Sequence, residues 1–322
     1  MFKVVSLFCG CGGADLGLLG GFTYNNQKYK KLPFEIIYAT DIDLKAIETY
    51  KKNFSCGSIV CDDIRNIKAF SIPNCDIFVG GFPCQSFSTV NPTKNPFDAR
   101  AKLYTEMIRV AKEKQPKIII AENVKGFKTL HGGVIFNTVV SEIEKSGYKV
   151  ISSLMNASDY GVPQKRERVF IVAVRNDLKD DFEFPQKTTE FEKVSLSVAV
   201  PEMNIEDKKY YFSERAVQGL KKAKNNMKRG LAQNLDQPCL TVTSHLAKAS
   251  LNSRDPVLLV DPAKELYRRF TPREAARIQS FPDTFQFTDS EFEAYKQIGN
   301  AIPPVLFWHI AKSISDYLLS QT

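Results

Sequence analysis

The first half of the chain alternates short apolar runs with stretches of helical periodicity. Apolar runs rich in β-branched residues predict strands at Val4–Phe8, Ile36–Ala39, Ser58–Cys61, Asp76–Val79, Lys117–Ala121, Tyr148–Leu154 and Arg168–Val174. Between them the spacing predicts helices at Asp43–Lys52, Lys102–Lys114 and Val134–Lys145. Strands alternating with helices make an α/β protein with a doubly wound, parallel sheet. Right-handed crossovers then gather the loops that follow the strands along one sheet edge, which is where such folds bind ligands.

The pattern changes after about Val174. Residues 175–210 are polar and irregular, and a basic, helix-like segment follows from Ser213 to Arg229. Another irregular stretch runs to about Pro262. Pro303–Leu319 reads as an amphipathic helix, with Leu306, Ile310, Ile314 and Tyr317 on one face. The chain therefore divides into residues 1–177 with 290–322, whose last helix returns to the first half, and a smaller, irregular domain over 178–289.

Composition narrows the options. The chain has 322 residues and is 43% hydrophobic, enough for a real core and for two domains. Its formal net charge of +8 suits a polyanionic partner, though solvated lysines give the same figure. Seven cysteines at irregular spacing do not form a disulfide framework and point to a reducing, cytoplasmic setting. Three scattered histidines argue against a metal site. No apolar run is long enough to span a membrane.

The candidate chemistry sits where strands end. Phe8-Cys9-Gly10-Cys11-Gly12-Gly13 follows the first strand, where glycines let backbone approach a ligand ahead of a helix N-terminus. Alone, this motif fits a dinucleotide, S-adenosylmethionine or a plain tight turn. Asp41 and Asp43 end the next strand, where an acid binds ribose hydroxyls, after an apparent inserted loop at Asn25–Pro33. Asp62-Asp63 ends the third strand, as a ligand contact or a helix cap. Gly80-Gly81-Phe82-Pro83-Cys84-Gln85-Ser86-Phe87-Ser88 follows another strand. Its glycines, proline and polar residues favour an exposed cysteine over a buried structural thiol. Glu122, in Ala121-Glu122-Asn123-Val124, is either a turn acid or a carboxyl held protonated by apolar neighbours. In Gln164-Lys165-Arg166-Glu167-Arg168, alternation puts Arg166 and Arg168 on one face.

These motifs, in this order, resemble the DNA (cytosine-5) methyltransferase family. The resemblance covers residues 4 to about 174 and about 266 to 308, including Arg268–Pro282 and Gln297-Ile298-Gly299-Asn300-Ala301-Ile302-Pro303. It implies a Rossmann-like, S-adenosylmethionine-dependent methyltransferase domain and a target-recognition domain in the unmatched stretch. It implies methyl transfer from S-adenosylmethionine to carbon 5 of cytosine in double-stranded DNA, leaving S-adenosylhomocysteine. The target base is flipped out of the duplex. On the family's pattern Cys84 attacks carbon 6, Glu122 holds ring N3, and Arg166 and Arg168 support the base. Phe8, Gly10, Gly12, Asp41, Ile42, Asp63, Ile64, Pro83, Leu103, Asn300 and Ala301 match cofactor positions. Gln85 to Arg100 matches the loop that closes over DNA, making Gln85, Ser86, Ser88 and Arg100 DNA contacts. Thr241 or Thr243, in a turn like those of the family's recognition regions, is a further one. A monomer is expected, in a restriction system with a separate cognate endonuclease. The competing readings are an RNA (transfer RNA) methyltransferase on the same fold, an inactive DNA-binding relative, and a dehydrogenase, which leaves Cys84 unexplained.

Overall fold

The computed structural model describes residues 1–82, 103–222, 232–248 and 255–321. Its elements run β1 (Phe2–Leu7), α1 (Gly13–Leu19), β2 (Phe22–Tyr24), β3 (Gln27–Tyr29), β4 (Phe34–Asp41), α2 (Leu44–Asn53), β5 (Ser58–Cys61), β6 (Ile77–Gly80), α3 (Leu103–Lys114), β7 (Ile118–Val124), α4 (Val134–Glu144), β8 (Tyr148–Asn156), β9 (Gln164–Lys165) and β10 (Glu167–Arg175). Then follow α5 (Glu214–Lys222), β11 (Cys239–Leu240), β12 (Leu258–Asp261), β13 (Leu266–Arg268), α6 (Pro272–Ile278), α7 (Glu291–Asn300) and α8 (Pro304–Ser320).

All seven expected strands enter one sheet, in the order β5-β4-β1-β6-β7-β10-β8. Chain direction leaves β1 toward β4 and β5, then returns to β6 on β1's other side. That reversal is a topological switch point, and Leu7 and Gly80 are paired there at the strand ends. One strand departs from the expected parallel sheet: β10 runs antiparallel to both β7 and β8. The link from β8 to β10 is too short to hold a crossover helix, so the chain turns back and slots between them. In consequence β10 begins, rather than ends, at the ligand-binding edge, with Arg168 opposite Val124.

One sheet face is covered by α1, α8 and the β2–β3 hairpin, through Leu18, Phe22, Tyr29, Phe307 and Ile310. The other is covered by α3 and α4 through Met107, Ile108, Val139 and Ile143. The stretch expected as an inserted loop is partly that hairpin. Asn25 and Asn26 both have positive φ, 45° and 59°, as a two-residue turn with matching twist requires. The basic segment forms α5 as far as Lys222; its remainder to Arg229 lies outside the described residues.

A third apolar cluster gathers Leu196, Val242, Leu258, Phe270, Ile278, Phe281, Tyr295 and Ile298, with Cys11 from the glycine loop. Its brace is the Arg268–Pro282 stretch. Arg268 is fully buried and meets both Glu274 oxygens, at 2.6 and 2.7 Å. It also donates to the carbonyls of Met203 and Glu202, both at 2.8 Å. Glu274 completes a capping box with Thr271 at the start of α6. Because the pair is fully bonded, removing one partner strands the other charge. Arg268→Met should therefore lower stability by about 3–5 kcal/mol, read by urea denaturation, whereas Arg268→Met with Glu274→Gln should recover part of the loss. Equal losses in the two variants would contradict this role.

A second buried acid lies under the glycine loop. Asp15, in the first turn of α1, is fully buried and accepts a hydrogen bond from Ser6 Oγ at 2.8 Å. It ties α1 to β1 on either side of the loop between them. Burial pushes its pKa up to about 6. A carboxyl raised in the folded state adds stability below its ordinary range and loses it as pH rises through its folded value. The stability of wild type relative to Asp15→Asn should fall by up to about 3 kcal/mol between pH 4 and 6, then level off. Denaturation at stepped pH checks this; a difference independent of pH contradicts it.

Candidate active site

The glycine loop leaves β1 with Phe8 in the left-handed region (φ 55°), followed by Gly10 (55°) and Gly12 (94°). A side chain at Gly10 would meet nothing within 4 Å, so the loop borders open space there. At Gly12 a Cβ would come within 2.2 Å of the Phe54 ring, so only glycine fits. Asp41, the last residue of β4, ties this loop down: its carboxylate accepts the Gly10 N–H at 2.8 Å and the Asp43 N–H at 2.9 Å. Ile42, next in the chain, is 67% exposed. Asp63 follows β5 and pairs with Arg65, while Ile64 beside it is buried. Leu103, at the start of α3, packs in the cluster below.

From the opposite side comes the end of α7. Gly13 has no room for a Cβ because Ile302 O lies 2.6 Å from where it would be. That contact brings exposed Asn300 and half-buried Ala301 to the glycine loop. Thus Phe8, Gly10, Gly12, Asp41, Ile42 and Asp63 follow or end strands at one edge of the sheet, with Asn300 and Ala301 brought to the glycine loop, whereas Ile64 and Leu103 pack in an apolar cluster. A loop open at Gly10, two strand-end carboxylates and an exposed apolar side chain between them suit a nucleoside-type ligand.

Glu122 stands at the same edge, near the end of β7. Its Oε1 lies 3.0 Å from Arg168 Nε, and both side chains are about 15% exposed. Burial raises the Glu122 carboxyl above its ordinary value, and Arg168 and Arg166 pull it partly back. The neighbouring Asn123 donates to Phe82 O at 3.2 Å, holding the chain that leads toward Pro83 and Cys84. A Cβ on Gly81 would sit 3.5 Å from Glu122 Oε2. Pro83, Cys84, Gln85, Ser86, Ser88 and Arg100 lie outside the described residues.

The two arginines expected on one face have separate partners. Arg166 is 2% exposed and donates to three backbone carbonyls: Val242 at 3.1 Å, Gly299 at 3.0 Å and Ala301 at 3.1 Å. Gln164 beside it accepts from Val242 N at 2.9 Å and donates to Ile278 O at 3.3 Å. Gly299 has no space for a side chain, since Thr243 and Ser244 backbone atoms stand 2.2 Å from its would-be Cβ. Thr241 donates to Lys165 O at 2.8 Å, and Thr243 donates to Asp255 at 2.6 Å. Asn123 and Gln164 have no role legible in the sequence, because their partners lie 41 and 78 residues away or more. Five of the described cysteines, Cys9, Cys11, Cys56, Cys75 and Cys239, are pushed up by burial and stay thiols. Among the described residues no helix is long and apolar enough to cross a membrane.

The chain is similar to known proteins in sequence and in fold. The C-5 cytosine-specific DNA methylase family matches residues 2–316. The type II methyltransferase M.FnuDI of Fusobacterium nucleatum is 36% identical, over 99% of this chain and 96% of its own length. M.NgoPII of Neisseria gonorrhoeae is 34% identical, over 98% and 96%. Among solved structures, the DNMT2 of Spodoptera frugiperda superposes with a TM-score of 0.76 at 20% identity, covering 98% of this chain and 99% of that one. That likeness shows the Rossmann-like methyltransferase fold. The chain belongs to the C-5 cytosine-specific DNA methylase family and is a DNA (cytosine-5-)-methyltransferase.

Proposed function

We propose that this enzyme methylates carbon 5 of cytosine within a short double-stranded DNA sequence, with Cys84 as nucleophile. The observation that carries the mechanism is the buried Glu122–Arg168 pair, set against the chain that leads into Cys84. Cytosine is unreactive at carbon 5 until a nucleophile adds to carbon 6. The Cys84 thiolate makes that bond, which moves electron density toward carbon 5 and ring N3. Glu122, whose proton is held more tightly than an ordinary carboxyl's, hydrogen-bonds N3 as the charge develops. Arg168 orients Glu122. Arg166 is a positioning residue that acts through the carbonyls it gathers. Once carbon 5 carries the methyl group, loss of its proton to solvent re-forms the carbon 5–carbon 6 double bond and lets the Cys84 sulfur leave. Stacked bases do not offer carbon 6 to a thiolate, so the target cytosine is flipped out.

S-adenosylmethionine supplies the methyl group and leaves as S-adenosylhomocysteine. Asp41 would take its ribose hydroxyls and Asp63 its adenine amine, with Ile42 and Ile64 next to them in the chain. Phe8, Gly10, Gly12, Pro83, Leu103, Asn300 and Ala301 complete the pocket. Residues 178–289 form the target-recognition domain, joined to a catalytic domain of 1–177 and 290–322. Thr241 or Thr243 contacts bases, and Gln85, Ser86, Ser88 and Arg100 close on the DNA. Relatives called type II methyltransferases support a restriction–modification role. In this reading the enzyme is a cytoplasmic monomer that works beside a separate cognate endonuclease.

With a duplex carrying 5-fluorocytosine and S-adenosylmethionine, elimination is blocked and wild type should be trapped as a covalent adduct on a denaturing gel. Cys84→Ala should form none, and Glu122→Gln should form it about a hundredfold more slowly or worse. Adduct from Cys84→Ala would show that another residue is the nucleophile.

A further inference from the structure

The Asp41 turn holds two carboxylates close together. Asp41 and Asp43 are two residues apart, and Asp43 raises the Asp41 pKa on top of the effect of burial. Asp41 also faces Cys9 and Cys11 of the glycine loop, both neutral thiols. Two backbone N–H groups offset part of the repulsion. The nearest cation comes from the other end of the chain. Lys296, on α7, puts its Nζ 2.7 Å from Asp43 Oδ2. The other Asp43 oxygen caps α2 by accepting from Lys45 N at 2.9 Å and Ala46 N at 3.3 Å. Lys296 is steadied by Glu293 at 3.3 Å, while Lys45 is paired with Glu48 and so is not the compensating charge. Next to Lys296, Gln297 donates to Lys45 O at 3.0 Å, so α7 grips the start of α2 at two points.

We propose that Lys296 is a positioning residue for cofactor binding. Its ammonium, carried on α7, holds Asp43 and thereby fixes the Asp41 turn against the glycine loop. This rests on the reading that Asp41 binds the cofactor ribose. Lys296 touches no reacting atom; it acts through Asp43. It thereby links the α7 segment that carries Asn300 to the strand end that carries Asp41. Without it, an uncompensated Asp43 charge faces Asp41, favours protonation of Asp41 and loosens the turn.

Calorimetric titration of the full chain with S-adenosylhomocysteine tests this without turnover. Lys296→Gln should weaken binding about fivefold, as loss of a partly screened ion pair would. The fall in affinity on acidification should begin at higher pH than in wild type. Lys296→Arg should retain affinity. Asp43→Asn keeps the helix cap, since Asn caps as well as Asp, but removes the charge. The double variant Asp43→Asn/Lys296→Gln should therefore bind better than Lys296→Gln alone. Initial rates should show a raised KM for S-adenosylmethionine with kcat nearly unchanged. Wild-type affinity in Lys296→Gln, or a double variant as weak as Lys296→Gln, overturns the proposal. Asp41→Asn separates the two ideas. If Asp41→Asn weakens binding and Lys296→Gln does not, the ribose reading stands and the Lys296 proposal fails. If Asp41→Asn binds normally, the ribose reading itself fails.

Discussion

A buried guanidinium must have its donors met, because an unsatisfied charge away from water costs several kcal/mol. The Nη groups of Arg166 meet this demand with three carbonyls from two distant segments, Val242 in one and Gly299 and Ala301 in the other, while its buried Nε has no partner among the described residues. The demand sets much of the architecture around the site. The turn at Val242 has to come down on β9, and the end of α7 has to arrive at the same point. Gln164 reinforces the junction through Val242 N and Ile278 O. Gly299 lets two backbones approach where any side chain would collide. Once Gly299 and Ala301 are held, Ile302 is pressed against Gly13, and the α7 end lies along the glycine loop.

The chemistry of the site follows from where charges are placed relative to that junction. β10 runs antiparallel, so its first residues rather than its last reach the ligand edge, and they bring Arg168 to Glu122. Desolvation raises the carboxyl of an acid in this position, and Arg168 beside it orients it. At the glycine loop burial raises the Asp41 carboxyl as well, but its partners differ. Asp41 is fixed by backbone N–H donors, which favour the charged carboxylate, and a lysine balances the second acid in its turn. Two carboxylates of one sheet edge are thus prepared for different work by their surroundings.

Much of this was legible in the sequence, for physical reasons. Sheet strands read as short apolar runs whether fully buried, as β6 is, or partly exposed, as β5 is, so all seven are legible. Motif residues at strand ends reached one edge because a doubly wound sheet puts them there. Four features were not legible. The direction of β10 depends on the short connection before it, not on its own composition. The Asn25-Asn26 turn looks like loop in the sequence because each strand of its hairpin is only three residues long. The split between Arg166 and Arg168 depends on partners in other segments, since alternation places both on one face whatever each one bonds. Lys296 was invisible for the same reason, lying 253 residues from Asp43.

The central claim is methyl transfer to carbon 5 of cytosine through Cys84 at a defined DNA sequence. The most direct measurement is to incubate purified enzyme with plasmid DNA and S-adenosylmethionine, then sequence after a chemical conversion that separates cytosine from 5-methylcytosine. The account predicts methylation at one short repeated motif with wild type, and none with a folded Cys84→Ser variant. Unmethylated plasmid from folded enzyme that binds S-adenosylmethionine, or methylation that persists in Cys84→Ser, would contradict it.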